Sequence, residues 1–182
     1  MPLRPRTALL MLDFQAGIAD KPFASDAVAR ALVAQRTARE AHILILCSKV
    51  RFRAGHTDIS ERNLAFGAAI QQNLFVGEAS RLLDAVGADG ASVTVDKNRF
   101  SAFSGNDLEI VLRSQEVENL VLCGVSTSGV VLSTFAEAVD CDYSITVLND
   151  ACADPLPTLH AVLIEKLFPR SARVCSVQEW LV

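Results

Sequence analysis

The sequence has no block of like charge: its 17 basic and 21 acidic residues are scattered along the chain, and the formal charge is only −4. Without a basic run or stripe it lacks the electrostatic footprint of a nucleic-acid binder. The expected partner is therefore a small molecule, with no nucleic acid. Nor does any apolar run approach the ~20 residues needed to span a bilayer, so no membrane partner is expected. The opening MPLRPRTALLMLDFQ carries two arginines before an apolar run. That run is short, stops at Asp13 and lacks a small-residue cleavage site, so it reads as a first strand instead of a targeting segment. Cysteine pairs of the CxxC kind are absent. Cys47, Cys123, Cys141, Cys152 and Cys175 are odd in number, far apart and mostly within apolar stretches, which fits reduced, buried thiols and a cytoplasmic location. There is no repeat, low-complexity tract or shift of composition, and the expectation is a single domain over 1–182.

What is present is a chain of 182 residues, 51% hydrophobic, long enough to bury roughly 70% of its unfolded surface without staples. Short β-rich runs at 7–14, 42–50, 91–97, 119–125, 143–150 and 172–177 alternate with helical patterns at 25–41, 106–115 and 156–168. Several of the runs are continuously apolar instead of alternating, as expected of parallel strands covered on both faces. Asn106 and Glu109 have the spacing of a capping box, and Pro155 and Pro157 suit the entrance to the last long helix. The segment 51–90 is less regular, with a short helix expected at 61–72, and is placed to form one wall of a pocket. Right-handed crossovers then give a three-layer α/β/α, doubly wound, six-stranded parallel sheet. In such a sheet the ligand crevice lies beyond the carboxyl ends of the strands.

Three stretches arrive at that edge: Asp13 after the first strand, Lys97 after the third, and GVSTSGV (124–130) after the fourth. Taken alone, Asp13 reads equally as a turn cap before Gln15 and Gly17, and Lys97 as a solvated strand end. Together they form a possible acid–base pair, in which the ammonium favours the carboxylate and burial favours the acid. The glycine loop is not a P-loop, because Val130 and Val131 stand where Lys-Ser/Thr is required, and no GxGxxG follows any strand; no cofactor is expected. What remains is a small-residue turn whose N–H groups suit a carboxylate or oxyanion at a helix N-terminus.

The four pieces LLMLDFQ, KNRFSAF, LVLCGVSTSGVVLSTFAEAV and ITVLNDACAD, in this order, resemble the isochorismatase-like or cysteine hydrolase superfamily. The resemblance implies a catalytic triad of aspartate, lysine and cysteine, matched here by Asp13 and Lys97. The family's G-V-x-T-x-x-C-V, counted from Gly124, puts the cysteine's place at Val130, so this member lacks the nucleophile. The resemblance also implies a cis peptide between Val125 and Ser126, with the N–H groups of Ser126 and Val130 facing an oxyanion. The aspartate and two histidines of the metal-using branch are not matched in SKVRFRAGH, which offers His56 alone, so no metal is expected. It further implies a homodimer or higher homo-oligomer; the apolar C-terminal Trp180, Leu181 and Val182 either contribute to such an interface or pack on their own domain.

Isochorismatases proper, which this chain resembles in dispensing with the cysteine, hydrolyse a vinyl ether, so the resemblance implies a hydrolase acting on a small, anionic metabolite by vinyl-ether-type hydrolysis. Asp13 is the general acid, Lys97 its orienting partner, and Arg99 and Phe103 are substrate contacts beside Ser126 and Val130. Arg51, Arg53 and Arg99 either solvate the rim or hold a substrate carboxylate, and Leu12, Phe14 and Phe103 would have to supply the burial that raises the Asp13 pKa. Two alternatives stand beside this reading: an inactive ligand-binding or regulatory member, and an amidase whose substitute nucleophile is Ser126 or Ser128.

Overall fold

The computed structural model describes residues 6–87 and 92–180. Gly90 and Ala91, and Leu181 and Val182 of the apolar C-terminus, lie outside those residues. The strands are β1 (Thr7–Leu12), β2 (Leu44–Val50), β3 (Val93–Lys97), β4 (Asn119–Val125), β5 (Ser144–Ala153) and β6 (Arg173–Cys175). They form one sheet in the order β3-β2-β1-β4-β5-β6, parallel throughout. All six residues of β1 are buried, because the strand lies at the centre with helices on both faces. Its alternating side chains divide between two cores: Leu9 and Met11 face one cluster with an alanine stripe, while Ala8, Leu10 and Leu12 face the other.

The first face is covered by α1 (Ser25–Glu40), whose buried Ala27, Ala31, Ala34 and Ala38 let it lie close to the sheet, together with α3 (Asp84–Gly87) and α7 (Val177–Trp180). After β2, the excursion includes α2 (Gly67–Gln71). It closes over a small apolar cluster of Val50, Phe52, Ile59, Phe66 and Ala69. On the second face lie α4 (Leu108–Ser114), α5 (Leu132–Asp140) and, through Leu163 and Phe168, the turns that follow α6 (Pro157–Val162). Among the described residues no helix is long and apolar enough to cross a membrane.

Four local details differ from the sequence reading. The capping box does not form: Asp107 is the N-cap of α4, Asn106 Oδ1 accepts from the Leu108 N–H at 2.9 Å, and Glu109 pairs with Arg113 instead. The last long helix keeps α-geometry only to Val162; it widens into a π turn at Leu163–Leu167 and ends in a 3-10 turn at Phe168–Arg170, where Pro169 has no N–H to continue it. β5 runs on to Ala153 by way of a bulge, its pairing jumping from Leu122↔Val147 to Gly124↔Cys152. Finally, Cys141 is exposed in the turn after α5, whereas the other four thiols are buried, and none of the five is in a disulfide.

Candidate active site

Strand order brings the chemistry together. Leu12 pairs with Ser48 on one side and with Gly124 on the other, so Asp13, the next residue, emerges between the ends of β2 and β4. It turns the chain with φ 58°, a left-handed conformation that a short polar side chain tolerates better than most. The turn is fixed by Gln15, fully buried, whose side-chain amide imitates a neighbouring strand: Gln15 Nε2 donates to the Val50 carbonyl at 3.2 Å, and the Val50 N–H donates to Gln15 Oε1 at 2.6 Å. Close approach of β4 requires Gly124, because a Cβ there would stand 2.6 Å from both the Cβ and the backbone oxygen of Leu12.

Lys97 ends β3, which is not a neighbour of β1, and its long side chain crosses the end of β2 to reach Asp13. Lys97 Nζ donates to Asp13 Oδ2 at 2.8 Å and to the Arg99 carbonyl at 2.9 Å. Ser48 Oγ donates to Asp13 Oδ1 at 2.9 Å. Both ionisable side chains are buried, 0% exposed for Lys97 and 4% for Asp13. Burial pushes the Asp13 carboxyl up from its ordinary value, more strongly than the Lys97 charge and the hydrogen bonds from Lys97 and Ser48 pull it down. Each carboxyl oxygen keeps a second lone-pair direction.

Asp13, Ser126 and Val130 line one cavity of about 330 Å³. The peptide between Val125 and Ser126 is cis, and the chain then passes through a wide turn at Thr127–Val131 into α5. At Gly129 a Cβ would stand 2.7 Å from Ser126 Oγ, so that hydroxyl would have to turn aside. The buried carboxylate of Asp154 grips the turn, accepting from the Ser128 N–H at 2.7 Å and from the Leu156 N–H at 3.0 Å. Val130 is 2% exposed, so the position where the resemblance puts a thiol faces the same cavity as Asp13 but presents a branched aliphatic side chain.

No hydroxyl of this turn has a base beside it in the cavity. Among the described residues Ser126 Oγ has no histidine or carboxylate partner, whereas Thr127, fully buried, is bonded to His160 Nδ1 at 2.9 Å. His160 opens onto a different crevice with Asp26 and Asp150, and burial lowers its pKa against the pull of Asp154. The buried thiols are equally unsuited to attack: burial pushes Cys152 up to about 12 and Cys123 well above its ordinary value.

The remaining residues singled out from sequence are not brought to the cavity. Phe103 stacks on Tyr143, ring centroids 6.1 Å apart, and packs in the second core; Leu12 and Phe14, on either side of Asp13 in the chain, are almost fully enclosed. The Arg99 guanidinium is bonded to the Asp58 and Asn98 carbonyls, and it is the Arg99 backbone that serves Lys97. Arg51 pairs with Asp96 and Arg53 with Asp58 along a separate open crevice. His56 is buried, with Nε2 3.1 Å from the Leu74 carbonyl, and among the described residues no three His, Cys, Asp or Glu side chains are grouped to hold a metal ion. Sequence reasoning missed Ser48, Phe66, Phe75 and Phe100. Pairing the ends of the first two strands in register would have found Ser48. The phenylalanines lie in irregular chain without a period to orient them.

The model of the isochorismatase domain matches residues 7–179. The chain belongs to the isochorismatase family. Over 187 residues this isochorismatase-family chain is 30% identical to the uncharacterized isochorismatase family protein YecD of Escherichia coli O157:H7, covering 96% of this chain and 94% of that one. It is 34% identical over 85 residues to a probable inactive nicotinamidase of Arabidopsis thaliana, covering 46% of this chain and 43% of the other. Its fold is that of a cysteine hydrolase from Pseudomonas syringae pv. phaseolicola 1448A, with a TM-score of 0.89, 21% identity, and coverage of 100% and 93%. The three-layer sheet and its strand order are thus the isochorismatase-like architecture, and the protein belongs among the isochorismatase-like hydrolases.

Proposed function

We propose that this isochorismatase-family hydrolase cleaves a vinyl-ether-type bond in a small metabolite without a protein nucleophile, the Asp13–Lys97 pair supplying the proton. The observation that carries the reading is a buried Asp13 carboxyl, hydrogen-bonded to Lys97, that shares its cavity with an aliphatic side chain at Val130. Acyl transfer needs an activated nucleophile, and this site offers none. Vinyl-ether hydrolysis needs only a proton and water. Asp13 transfers its proton to the terminal alkene carbon, the π electrons form the new C–H bond, and water adds to the resulting oxocarbenium carbon. The hemiketal or hemiacetal then collapses to a carbonyl compound and an alcohol, and the proton lost by water restores Asp13. Lys97 and Ser48 hold the carboxyl in place, and the backbone N–H groups of Ser126 and Val130 orient a substrate oxygen.

The upward push on Asp13 supports this assignment, since a general acid has to keep its proton as the pH approaches neutrality. The test is release of the carbonyl product from a vinyl-ether panel containing an anionic member, isochorismate, and a neutral one, phenyl vinyl ether. The expected rate falls as the pH rises through the pKa of the Asp13–Lys97 pair. Asp13→Asn is expected to lose about 10²- to 10⁴-fold in kcat, the usual contribution of a positioned acid. No release from any member, or undiminished release by a folded Asp13→Asn variant, overturns the reading.

Val130 itself favours a second reading, a ligand-binding member that no longer turns over, in keeping with the name of the Arabidopsis relative. On that reading wild type binds without converting, and the pocket regains only a thiol when Val130 is replaced. In a Cys141→Ser background, which removes the exposed thiol, Val130→Cys is expected to be alkylated by iodoacetamide at least about tenfold faster than the buried cysteines. Peptide mass spectrometry checks this. Equal rates would mean that position 130 is closed to small reagents.

A further inference from the structure

The shape and chemistry of the cavity point away from the anionic metabolite expected from the sequence. We infer that the Asp13 cavity takes a neutral, flat, apolar molecule of about one ring, an aryl or conjugated alkenyl group. The inference rests on the same site as the proposed hydrolysis but concerns what binds there.

Every cation near the cavity is already engaged or lies at its rim. The Lys97 ammonium is 2.8 Å from Asp13 and 2.9 Å from the Arg99 carbonyl. Lys21 lines the mouth, is half exposed, and stands 3.7 Å from Asp20. Arg51, Arg53 and Arg99 are turned to Asp96, Asp58 and backbone carbonyls outside the cavity. A carboxylate entering this space would give up hydration without gaining a free cation, which is costly.

The walls are aromatic. Phe66 stacks on Phe100 with centroids 4.9 Å apart and planes 30° apart, and Phe75 and Phe23 line the same cavity. Phe23 and Phe100 are each 42% exposed and belong to none of the three buried clusters; packing of the core does not require them to face this space. Two glycines lie against the rings: a Cβ at Gly17 would come 3.3 Å from the Phe75 ring and one at Gly129 3.5 Å from the Phe100 ring. The lining between the phenylalanines on the excursion is kept open by Ala65, Ala68 and Ala69. The volume of about 330 Å³ sits at the small end of ligand sites, ~300–1,000 Å³. Offset stacking on a phenylalanine pair rewards a flat π system over a puckered ring of the same size.

The test is calorimetric titration of the full chain with three matched probes that cannot be hydrolysed: acetophenone, benzoate and cyclohexyl methyl ketone. Acetophenone is expected to bind, benzoate at least about tenfold more weakly, and the puckered ketone several-fold more weakly. Phe100→Ala, at a half-exposed position, is expected to weaken acetophenone about tenfold while leaving Tm close to wild type; Phe66→Leu gives a second, volume-conserving check on the stack. Benzoate binding as tightly as acetophenone, equal affinity for the flat and puckered ketones, no acetophenone binding up to its solubility limit, or indifference to both phenylalanine substitutions would each overturn the inference. Because no probe turns over, its failure is separate from that of the hydrolysis reading. Acetophenone binding without release from any vinyl ether overturns the hydrolysis and leaves this inference standing, whereas turnover without acetophenone binding does the reverse.

Discussion

Lys97→Met is expected to destabilise the fold by ~3–5 kcal/mol at neutral pH, the usual cost of leaving one member of a buried ion pair without its partner. The pair is more enclosed than any other ion pair found among the described residues. The loss has a definite pH dependence. Burial already raises the Asp13 carboxyl, and Lys97 is the main force opposing that rise, so removing Lys97 raises it further. A carboxyl whose folded pKa is raised is protonated in both states below its unfolded value of about 3.9 and contributes no deficit there. As the pH climbs, the unfolded chain ionises first, and stability is lost until the folded pKa is passed. Denaturant titrations at pH 4 and pH 7.5 should therefore show a smaller deficit at the lower pH. The double variant Asp13→Leu/Lys97→Met, which removes both charges and fills their volume, should recover much of it. A deficit that is small at pH 7.5, or that grows on acidification, is incompatible with a buried charged pair.

Gly124→Ala should cost about 3 kcal/mol or more, at the top of the range for overpacking a well-fitted interior. A Cβ at this position stands 2.6 Å from the backbone oxygen of Leu12 as well as from its Cβ, and a backbone atom in a central strand cannot rotate aside as a side-chain tip can. Relief would have to separate β1 from β4, and with them Asp13 from the Ser126–Val130 turn. The variant should show a lowered denaturation midpoint with an unchanged m value. Gly67→Ala, where a Cβ meets nothing within 4 Å, is the control and should lie within about 0.5 kcal/mol of wild type.

The six strands were legible because parallel strands covered on both faces read as apolar runs, and the sheet order carries Asp13, Lys97 and 124–130 to one edge. Ends of elements were harder to read. The run at 143–150 continues to Ala153 because a bulge resets its register, and a bulge leaves no trace in hydrophobicity. In KNRFSAF two phenylalanines three residues apart were indistinguishable; after β3 the chain has no period, and its path sends Phe100 to the cavity and Phe103 to Tyr143. The arginines stayed open between rim and substrate contact for a related reason. Guanidinium near a strand end looks like an anion site until its partner is seen: Arg51 meets Asp96 of β3, and Arg53 meets Asp58 five residues on, where an irregular path folds the chain back. The sign of the balance on Asp13 depended on how fully the fold encloses it, a matter of packing.

The most direct test of the account is hydrolysis of phenyl vinyl ether in deuterium oxide, with the released acetaldehyde trapped at once by borohydride reduction. Carbon protonation by the Asp13–Lys97 pair predicts one deuterium in the methyl group of the resulting ethanol, at an enzyme-dependent rate that falls at least about 100-fold in Asp13→Asn. Enzyme-dependent release without deuterium at that carbon, or at an equal rate from a folded Asp13→Asn variant, would contradict it.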